Sequence, residues 1–206
     1  MTSGELHHLR DLECAWLIRP FPGSMFCGDG IHVDETAMQI RAAMIDGLGH
    51  GQSASEFTRD AVAHLSSRWK QNLVTSLHDV SDATEQTVGG TVGLLSLDKQ
   101  DYEVRVSILG NITFCHSTPE KNTYLRGTES YTGSARRRIE STRLNMAVSD
   151  ILLVFSDGLE SDINIEPSLR LQPARVIVER LMDENAKAHD DASCLVIKRR
   201  RHEPGG

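Results

Sequence analysis

Residues 42–51 read Ala-Ala-Met-Ile-Asp-Gly-Leu-Gly-His-Gly. The first four are apolar, which is typical of a strand buried within a sheet. The six residues after Ile45 include three glycines, so the strand must end there and give way to a tight loop. Ser53 and Glu56 have the spacing of a capping box, which predicts that a helix begins directly after the loop. Asp46 is therefore predicted to lie at the end of a buried strand, beside a strand-to-helix turn.

The segments that follow this turn have helical periodicity first and strand periodicity later. Apolar residues recur at helical spacing at Phe57, Ala61, Val62, Leu65 and Trp69. A second, shorter helix is predicted over residues 73–83. From residue 92 to residue 108 the apolar pattern changes to that of strands. The turn signal at residues 110 and 111 predicts that the strand before it pairs as a hairpin with a strand over 112–116.

The strongest signal for a buried strand is Ile-Leu-Leu-Val-Phe at residues 151–155. A helix is predicted over about 173–185 and a last strand over 192–197. Strands grouped as hairpins, with helices single or in pairs, indicate an α+β fold rather than alternating βαβ units. The predicted architecture is an αββα sandwich, in which two packed antiparallel β-sheets are flanked by helices.

The length of 206 residues predicts a single domain over residues 1–206, with a core over about 12–198, a short polar N-terminus and a basic C-terminal tail. The net charge of −7 argues against an extended nucleic-acid surface. No apolar run approaches the roughly 20 residues that would span a membrane, and the N-terminus lacks the pattern of a signal peptide. We therefore expect a cytoplasmic protein that binds neither nucleic acid nor membrane.

Four aspartates share one context, because each is predicted to lie at the end of a strand, next to glycine or another aspartate. They are Asp29, Asp46, Asp157 and Asp190. One such junction would be an ordinary turn, but carboxylates crowded at the ends of packed strands repel one another unless cations offset their charge. Oxygen ligands select hard divalent ions, so we expect two Mn²⁺ or Mg²⁺ ions. Two such ions can activate a water that attacks phosphorus.

Five short motifs in this order resemble the protein phosphatase 2C (PPM) superfamily, in its bacterial SpoIIE/RsbX-like branch. The resemblance extends from about residue 27 to residue 198. The motifs are Asp46-Gly47-Leu48-Gly49-His50-Gly51, Gly89-Gly90-Thr91-Val92, Leu109-Gly110-Asn111-Ile112, Val154-Phe155-Ser156-Asp157-Gly158-Leu159 and His189-Asp190-Asp191-Ala192-Ser193.

The resemblance implies a role for each acidic position. Asp46 would bridge both metals, and the backbone carbonyl of Gly47 would bind one of them. Asp157 and Asp190 would bind the other ion. The pair of adjacent aspartates leaves Asp191 open as an alternative to Asp190.

The acidic residue that contacts a metal through water in this family corresponds to Asp29. The implied reaction removes phosphate from phosphoserine or phosphothreonine by attack of a metal-bridging water, with Asp46, Asp157 and Asp190 as catalytic residues. The chain resembles the stand-alone members of stress-response signalling. Its expected partner is therefore a phosphorylated signalling protein, a STAS-domain component of the stressosome.

Substrate recognition is predicted in the polar segment 117–143, where Arg136, Arg137 and Arg138 suit a phosphorylated, acidic protein surface. Eukaryotic members of the family carry a phosphate-binding arginine shortly before the first acidic position. Here Arg19 is the only nearby candidate, so phosphate recognition would rest on the metals alone.

Two histidines, His50 and His189, flank the predicted site. Each is a candidate general acid for the leaving serine alkoxide, and an ordinary loop histidine is the alternative interpretation. Two other functions are also compatible with the sequence. One is a non-catalytic protein that keeps the phosphatase fold and binds a partner, and the other is a two-metal hydrolase of a small phosphoester.

Overall fold

The structure, a computed structural model, describes residues 1–6, 11–127, 130–132 and 139–200. The strands are β1 (Thr2–Leu6), β2 (Leu12–Arg19), β3 (Asp29–Glu35), β4 (Gln39–Gly47), β5 (Gly90–Asp98), β6 (Glu103–Leu109), β7 (Thr113–Ser117), β8 (Asn122–Arg126), β9 (Ser141–Asn145), β10 (Ile151–Phe155) and β11 (Ala192–Arg199). The helices are α1 (Gln52–Arg68), α2 (Leu73–Ala83), α3 (Pro167–Arg170) and α4 (Ala174–Asn185).

The strands form two antiparallel sheets. The first has six strands in the order β1-β2-β11-β10-β7-β8, and the second has five in the order β3-β4-β5-β6-β9. Apolar side chains from β4, β5 and β6 pack against those from β2, β10 and β11 in one core between the sheets. The predicted α+β sandwich of two antiparallel sheets is confirmed.

Helices cover the outer face of each sheet. Phe57 and Leu65 of α1 and Leu77 of α2 pack on the second sheet. Ile177 and Leu181 of α4 pack on the first sheet. The layers therefore follow the order helix, sheet, sheet, helix, because each sheet is apolar on both faces and each helix on one.

The hairpin predicted around residues 110 and 111 is wrong. β6 pairs with β5 and β9 in the second sheet, whereas β7 pairs with β10 and β8 in the first. The turn therefore carries the chain from one sheet to the other. A turn signal shows that the chain changes direction, but it does not show which strand lies next to which.

Two local expectations at the starts of elements also differ from the structure. α1 has Gly51 as its N-cap with no side-chain cap, and Ser53 lies inside the helix, so the capping box is wrong. Glu56 instead accepts a hydrogen bond from Gln52. The N-terminus, expected to be only a polar segment, contributes the edge strand β1, which pairs with β2. Over the described ranges of the chain, no helix combines the length and the apolar character needed to cross a bilayer.

Candidate active site

The site lies at the edge where four strand ends meet. Asp29 opens β3 and Asp46 lies near the end of β4, and these two residues are directly opposite each other in the antiparallel pair. Asp157 follows the end of β10, and Asp190 precedes the start of β11. β10 and β11 are paired, so their ends meet at one edge of the first sheet. The topology therefore gathers aspartates that are far apart in sequence.

Three of the four aspartates line one cavity of about 480 Å³. Asp46, Asp157 and Asp190 contribute to its wall together with Gly47. Asp29 is not part of the lining. The remaining lining residues are Phe21, Leu48, Gly49, His50, Thr91, Asn111 and His189.

Asp46 has the least favourable environment for a charged carboxylate. Burial raises its pKa most, and the negative charges of Asp29, Asp157 and Asp190 raise it further, to about 9. A carboxylate crowded in this way ionises readily only when a cation offsets the repulsion. The electrostatics therefore favour a cation beside Asp46.

Asp29 lies deeper than the cavity wall and is buried. Its Oδ2 accepts a hydrogen bond of 2.6 Å from Ser156 Oγ, and Ser156 Oγ in turn accepts one from the backbone N–H of Ser193. Burial raises the pKa of Asp29, although the hydrogen bond from Ser156 opposes the rise. Asp29 therefore lies behind the cavity wall, and its hydrogen bond from Ser156 links it to the end of β10.

Asp157 is held by two neighbours. Asn111 Nδ2 donates a hydrogen bond of 2.7 Å to its Oδ2, and Lys187 Nζ donates one of 2.6 Å to its backbone carbonyl. The sequence indicated Asn111 only as part of a structural turn, and it did not indicate Lys187 at all. The signal that could have identified Asn111 was its place in one of the five motifs of the resemblance.

The two adjacent aspartates have different environments. Asp190 is exposed and lines the cavity. Asp191 is buried, and its two oxygens accept the backbone N–H groups of Phe21 at 2.6 Å and Gly28 at 2.7 Å. This arrangement favours Asp190 as the residue available to a metal.

The oxygen atoms at the cavity are of a kind that could bind a divalent metal. Among the described residues, no three His, Cys, Asp or Glu side chains already converge on a point suited to an ion. Asp29 and Asp157 instead face the hydrogen-bond donors Ser156 and Asn111. The oxygens at the cavity wall are nevertheless of the type that Mg²⁺ and Mn²⁺ prefer, and the raised pKa of Asp46 calls for positive charge. The residues fit a hard divalent ion.

The two histidines predicted to flank the site lie at the cavity. His50 and His189 both line the cavity, and the His50 ring stacks near Phe21 with centroids 6.5 Å apart. The run Arg136, Arg137 and Arg138 lies outside the described residues.

Arg19 is directed to the backbone beside the site. Its Nη2 donates a hydrogen bond of 2.6 Å to the carbonyl of Lys187, whose own Nζ holds the backbone of Asp157. Arg19 is not among the described residues that line the aspartate cavity. In this arrangement it supports the segment before Asp190.

Solved structures of low sequence identity share this fold over nearly the whole chain. RsbX in complex with magnesium superimposes with a TM-score of 0.86 at 16% identity, covering 96% of this chain and 100% of RsbX. The phosphatase PstP of Mycobacterium tuberculosis gives a TM-score of 0.67 at 13% identity, covering 93% and 100%.

The PP2C domain of SpoIIE from Bacillus subtilis, solved with a fragment of its regulatory domain, gives a TM-score of 0.75 at 17% identity, covering 91% of this chain and 63% of that one. No curated protein matches the sequence at a significant level. The model of the family described as stage II sporulation protein E (SpoIIE) matches residues 36–200. With its strand-end aspartates in the sandwich fold of the PP2C phosphatases, the chain belongs to the SpoIIE family.

Proposed function

We propose that this chain is a metal-dependent protein serine/threonine phosphatase. The observation that carries the proposal is the cavity that brings Asp46, Gly47, Asp157 and Asp190 together from three separate parts of the sequence. Its acidic, oxygen-rich wall suits a phosphate ester only when divalent cations are present, because phosphate and carboxylates otherwise repel each other.

The oxygens of Asp46, Asp157, Asp190 and Gly47 would hold two divalent ions, Mn²⁺ or Mg²⁺. Such ions, when bound, neutralise charge on phosphoryl oxygens and lower the pKa of water. Asp29 would contribute indirectly, since it lies behind the cavity wall and is held by Ser156. 

The protein's own side chains would position these ligands and the substrate. Asn111 holds the Asp157 carboxylate in one orientation, and Asp191 fixes the loop that places Phe21 at the cavity. His50 and His189 line the cavity and could donate a proton to the leaving alkoxide. 

The proposed substrate is a phosphorylated STAS-domain protein of the stressosome. One similar structure supports this choice, a chain described with the bacterial stressosome, which gives a TM-score of 0.82 at 21% identity. Because the chemistry at the metals does not depend on what lies beyond the phosphate, specificity must come from surrounding loops. We propose that Arg136, Arg137 and Arg138 contribute to it.

The test of activity is turnover of an aryl phosphate, a phosphoserine protein and a panel of nucleotides, each with Mn²⁺, with Mg²⁺ and with excess chelator. We expect metal-dependent turnover of the aryl phosphate and the phosphoprotein. Full turnover in chelator would overturn the metal mechanism. Preference for a nucleotide would instead favour a hydrolase of small phosphoesters, and no turnover of any substrate would favour a non-catalytic binding protein.

The test of specificity replaces Arg136, Arg137 and Arg138 together by serine. Exposed charge pairs contribute about 0.2–1 kcal/mol each, so three should change kcat/KM for the phosphoprotein by about tenfold. We expect turnover of the aryl phosphate to stay unchanged. Equal loss on both substrates would place the arginines at the phosphate site, and no loss on either would make them an ordinary solvated loop.

A further inference from the structure

A second cavity, of about 1110 Å³, lies at the opposite end of the first sheet from the aspartates. Its wall includes residues that follow β7, precede β10 and end β11. The described residues that line it are all different from those that line the aspartate cavity. The five residues of β10 separate the two ends by roughly 17 Å at about 3.3 Å per residue. The two cavities are therefore distinct sites.

The wall of this distal cavity is strongly basic, although the whole chain has a net charge of −7. It carries five cationic side chains and one carboxylate, that of Glu120, among the described residues. The positive charge is therefore local, and it favours an anion. The cations are Lys121, Arg170, Lys198, Arg199 and Arg200.

Two of these cations already have acidic partners. Arg199 Nε lies 3.4 Å from Asp11 Oδ2, and Arg200 Nε lies 3.2 Å from Glu13 Oε1. In the part of the chain that the structure describes, the other three form no salt bridge. The cations on this wall without a salt bridge are thus Lys121, Arg170 and Lys198.

Lys198 is the most deeply placed of the three. It is only 9% exposed, and its Nζ donates one hydrogen bond of 2.7 Å, to the carbonyl of Gln172. Burial lowers the pKa of Lys198. A lysine ammonium has three N–H donors, so it can serve a ligand in addition to Gln172.

Arg170 lies at the end of α3 with its guanidinium fixed in place. Nη1 donates to Ser117 Oγ at 2.6 Å, and Nη2 donates to the carbonyls of Ser117 at 3.0 Å and Ser149 at 3.1 Å. Burial lowers its pKa too. Neutral oxygens orient the charge without neutralising it, which leaves a fixed positive group at the cavity wall.

Three carboxylates lie near Arg170 and Lys198, but each has another partner. Glu120, on the cavity wall, accepts a hydrogen bond of 2.9 Å from Thr118 Oγ1. Glu13 accepts a hydrogen bond of 2.6 Å from the backbone N–H of Ala174 and also pairs with Arg200. Asp150 lies 2.7 Å from the His116 ring nitrogen. Burying a cation without a salt-bridge partner is unfavourable, so a bound anion would stabilise Lys198 and Arg170.

We propose that the distal cavity binds a small organic phosphate of nucleotide size, with Lys198 and Arg170 holding its phosphate oxygens. Guanidinium and ammonium groups form strong charge-assisted hydrogen bonds with phosphate. The cavity volume of about 1110 Å³ lies slightly above the range of about 300–1,000 Å³ that is usual for ligand pockets. Ile165 and Leu171 give the same wall an apolar part that suits the rest of such a molecule.

The test measures binding of α,β-methylene-ADP, whose bridge a phosphatase cannot hydrolyse, to the full chain in saturating Mg²⁺ by calorimetry. We expect one bound molecule, and a dissociation constant about tenfold higher for Lys198→Met, which removes a charge-assisted hydrogen bond. Lys121→Ala, at an exposed position, should weaken binding by about threefold without affecting folding. Arg59→Gln, an exposed cation outside the cavity, is the matched control and should change nothing.

Asp46→Asn separates this site from the aspartate cavity, because it should leave binding of the analogue intact. Lost binding in Asp46→Asn, or unchanged binding in both Lys198→Met and Lys121→Ala, would overturn the proposal. A phosphoserine peptide that binds through Lys198 while the analogue does not bind would also overturn it, in favour of a partner protein's segment.

Discussion

The buried carboxylate of Asp191 accepts a hydrogen bond of 2.7 Å from the backbone N–H of Gly28, at the other end of the sequence. Its second oxygen accepts one of 2.6 Å from the backbone N–H of Phe21. One side chain therefore holds both ends of the loop between β2 and β3. That loop brings Phe21 to the cavity and leads into Asp29, so Asp191 supports the site without lining it.

Replacing Asp191 should therefore affect mainly stability, whereas replacing Asp190 should affect mainly metal binding and turnover. Asp191→Asn should lower the free energy of unfolding by about 1.5–3 kcal/mol, because its amide N–H₂ cannot accept the second backbone N–H. Asp190→Asn should not lower stability in chelator, because it removes a charge that repels Asp46 and Asp157, and it should weaken metal binding and turnover. Urea unfolding in chelator, beside a Mn²⁺ titration of activity, measures both. Similar stability losses in the two variants would contradict these roles.

The positions of Asp46 and Asp157 could be predicted from sequence because each follows an apolar run that can only be a buried strand. The end of such a run marks the end of the strand, and polar residues of a site can lie directly after it. The choice between Asp190 and Asp191 could not be predicted in the same way. Adjacent residues of one type differ only in the direction of their side chains. Which aspartate is directed to the cavity depends on the register of β11 against β2 and β10.

The error at residues 110 and 111 has a related cause. Local alternation identified β6 and β7 as strands, but each is apolar on a face that either sheet could accept. Pairing depends on partners distant in sequence, such as β9 and β10. The sequence did not indicate Lys187, because its contact is with the backbone carbonyl of Asp157. Every residue has such a carbonyl, so the residue types do not reveal the contact.

Gly158 should be intolerant of any side chain. A Cβ there would lie 1.8 Å from the backbone carbonyl oxygen of Asp191, so the two segments beside the site would have to separate. We expect Gly158→Ala to lower the free energy of unfolding by about 3 kcal/mol. Gly23→Ala is the control: its φ is +85° with nothing within 4 Å, and it should cost only about 1 kcal/mol of backbone strain. Equal losses would show that close packing at Gly158 is unimportant.

Asn111 should act by orienting Asp157. Asn111→Ala removes the hydrogen bond of 2.7 Å to its carboxylate, and because Asn111 is exposed we expect only about a tenfold loss of turnover, near the low end for bonds to charged groups. The metal concentration for half-maximal activity should rise, and thermal stability should stay nearly constant. Asn122→Ala, at a position far from the site on β8, is a control for the loss of an amide. A loss of turnover that saturating metal fully restores supports the orienting role, whereas unchanged metal dependence contradicts it.

Asp46→Asn should abolish metal-dependent turnover and stabilise the metal-free protein. Folding raises the pKa of Asp46 from its ordinary 3.8 to about 9, so between these values the unfolded chain binds fewer protons than the folded one. Stability that is present below about pH 4 is therefore lost as the pH rises toward 9. Asparagine does not titrate, so the variant lacks this pH dependence. The free energy of unfolding of Asp46→Asn should exceed that of the parent protein by nearly zero at pH 4 and by about 1–3 kcal/mol at pH 8.

Urea unfolding in chelator at pH 4, 6 and 8 measures this difference directly. Asp60→Asn is the matched control, because Asp60 is an exposed aspartate on α1 whose partner is Arg59 at 3.2 Å. It should shift stability by the same small amount at every pH. Parallel pH profiles for Asp46→Asn and the parent protein would show that folding does not raise the pKa of Asp46. Mn²⁺ should reverse the order of stability at pH 8, since the parent protein keeps the carboxylate that binds the ion and the variant does not.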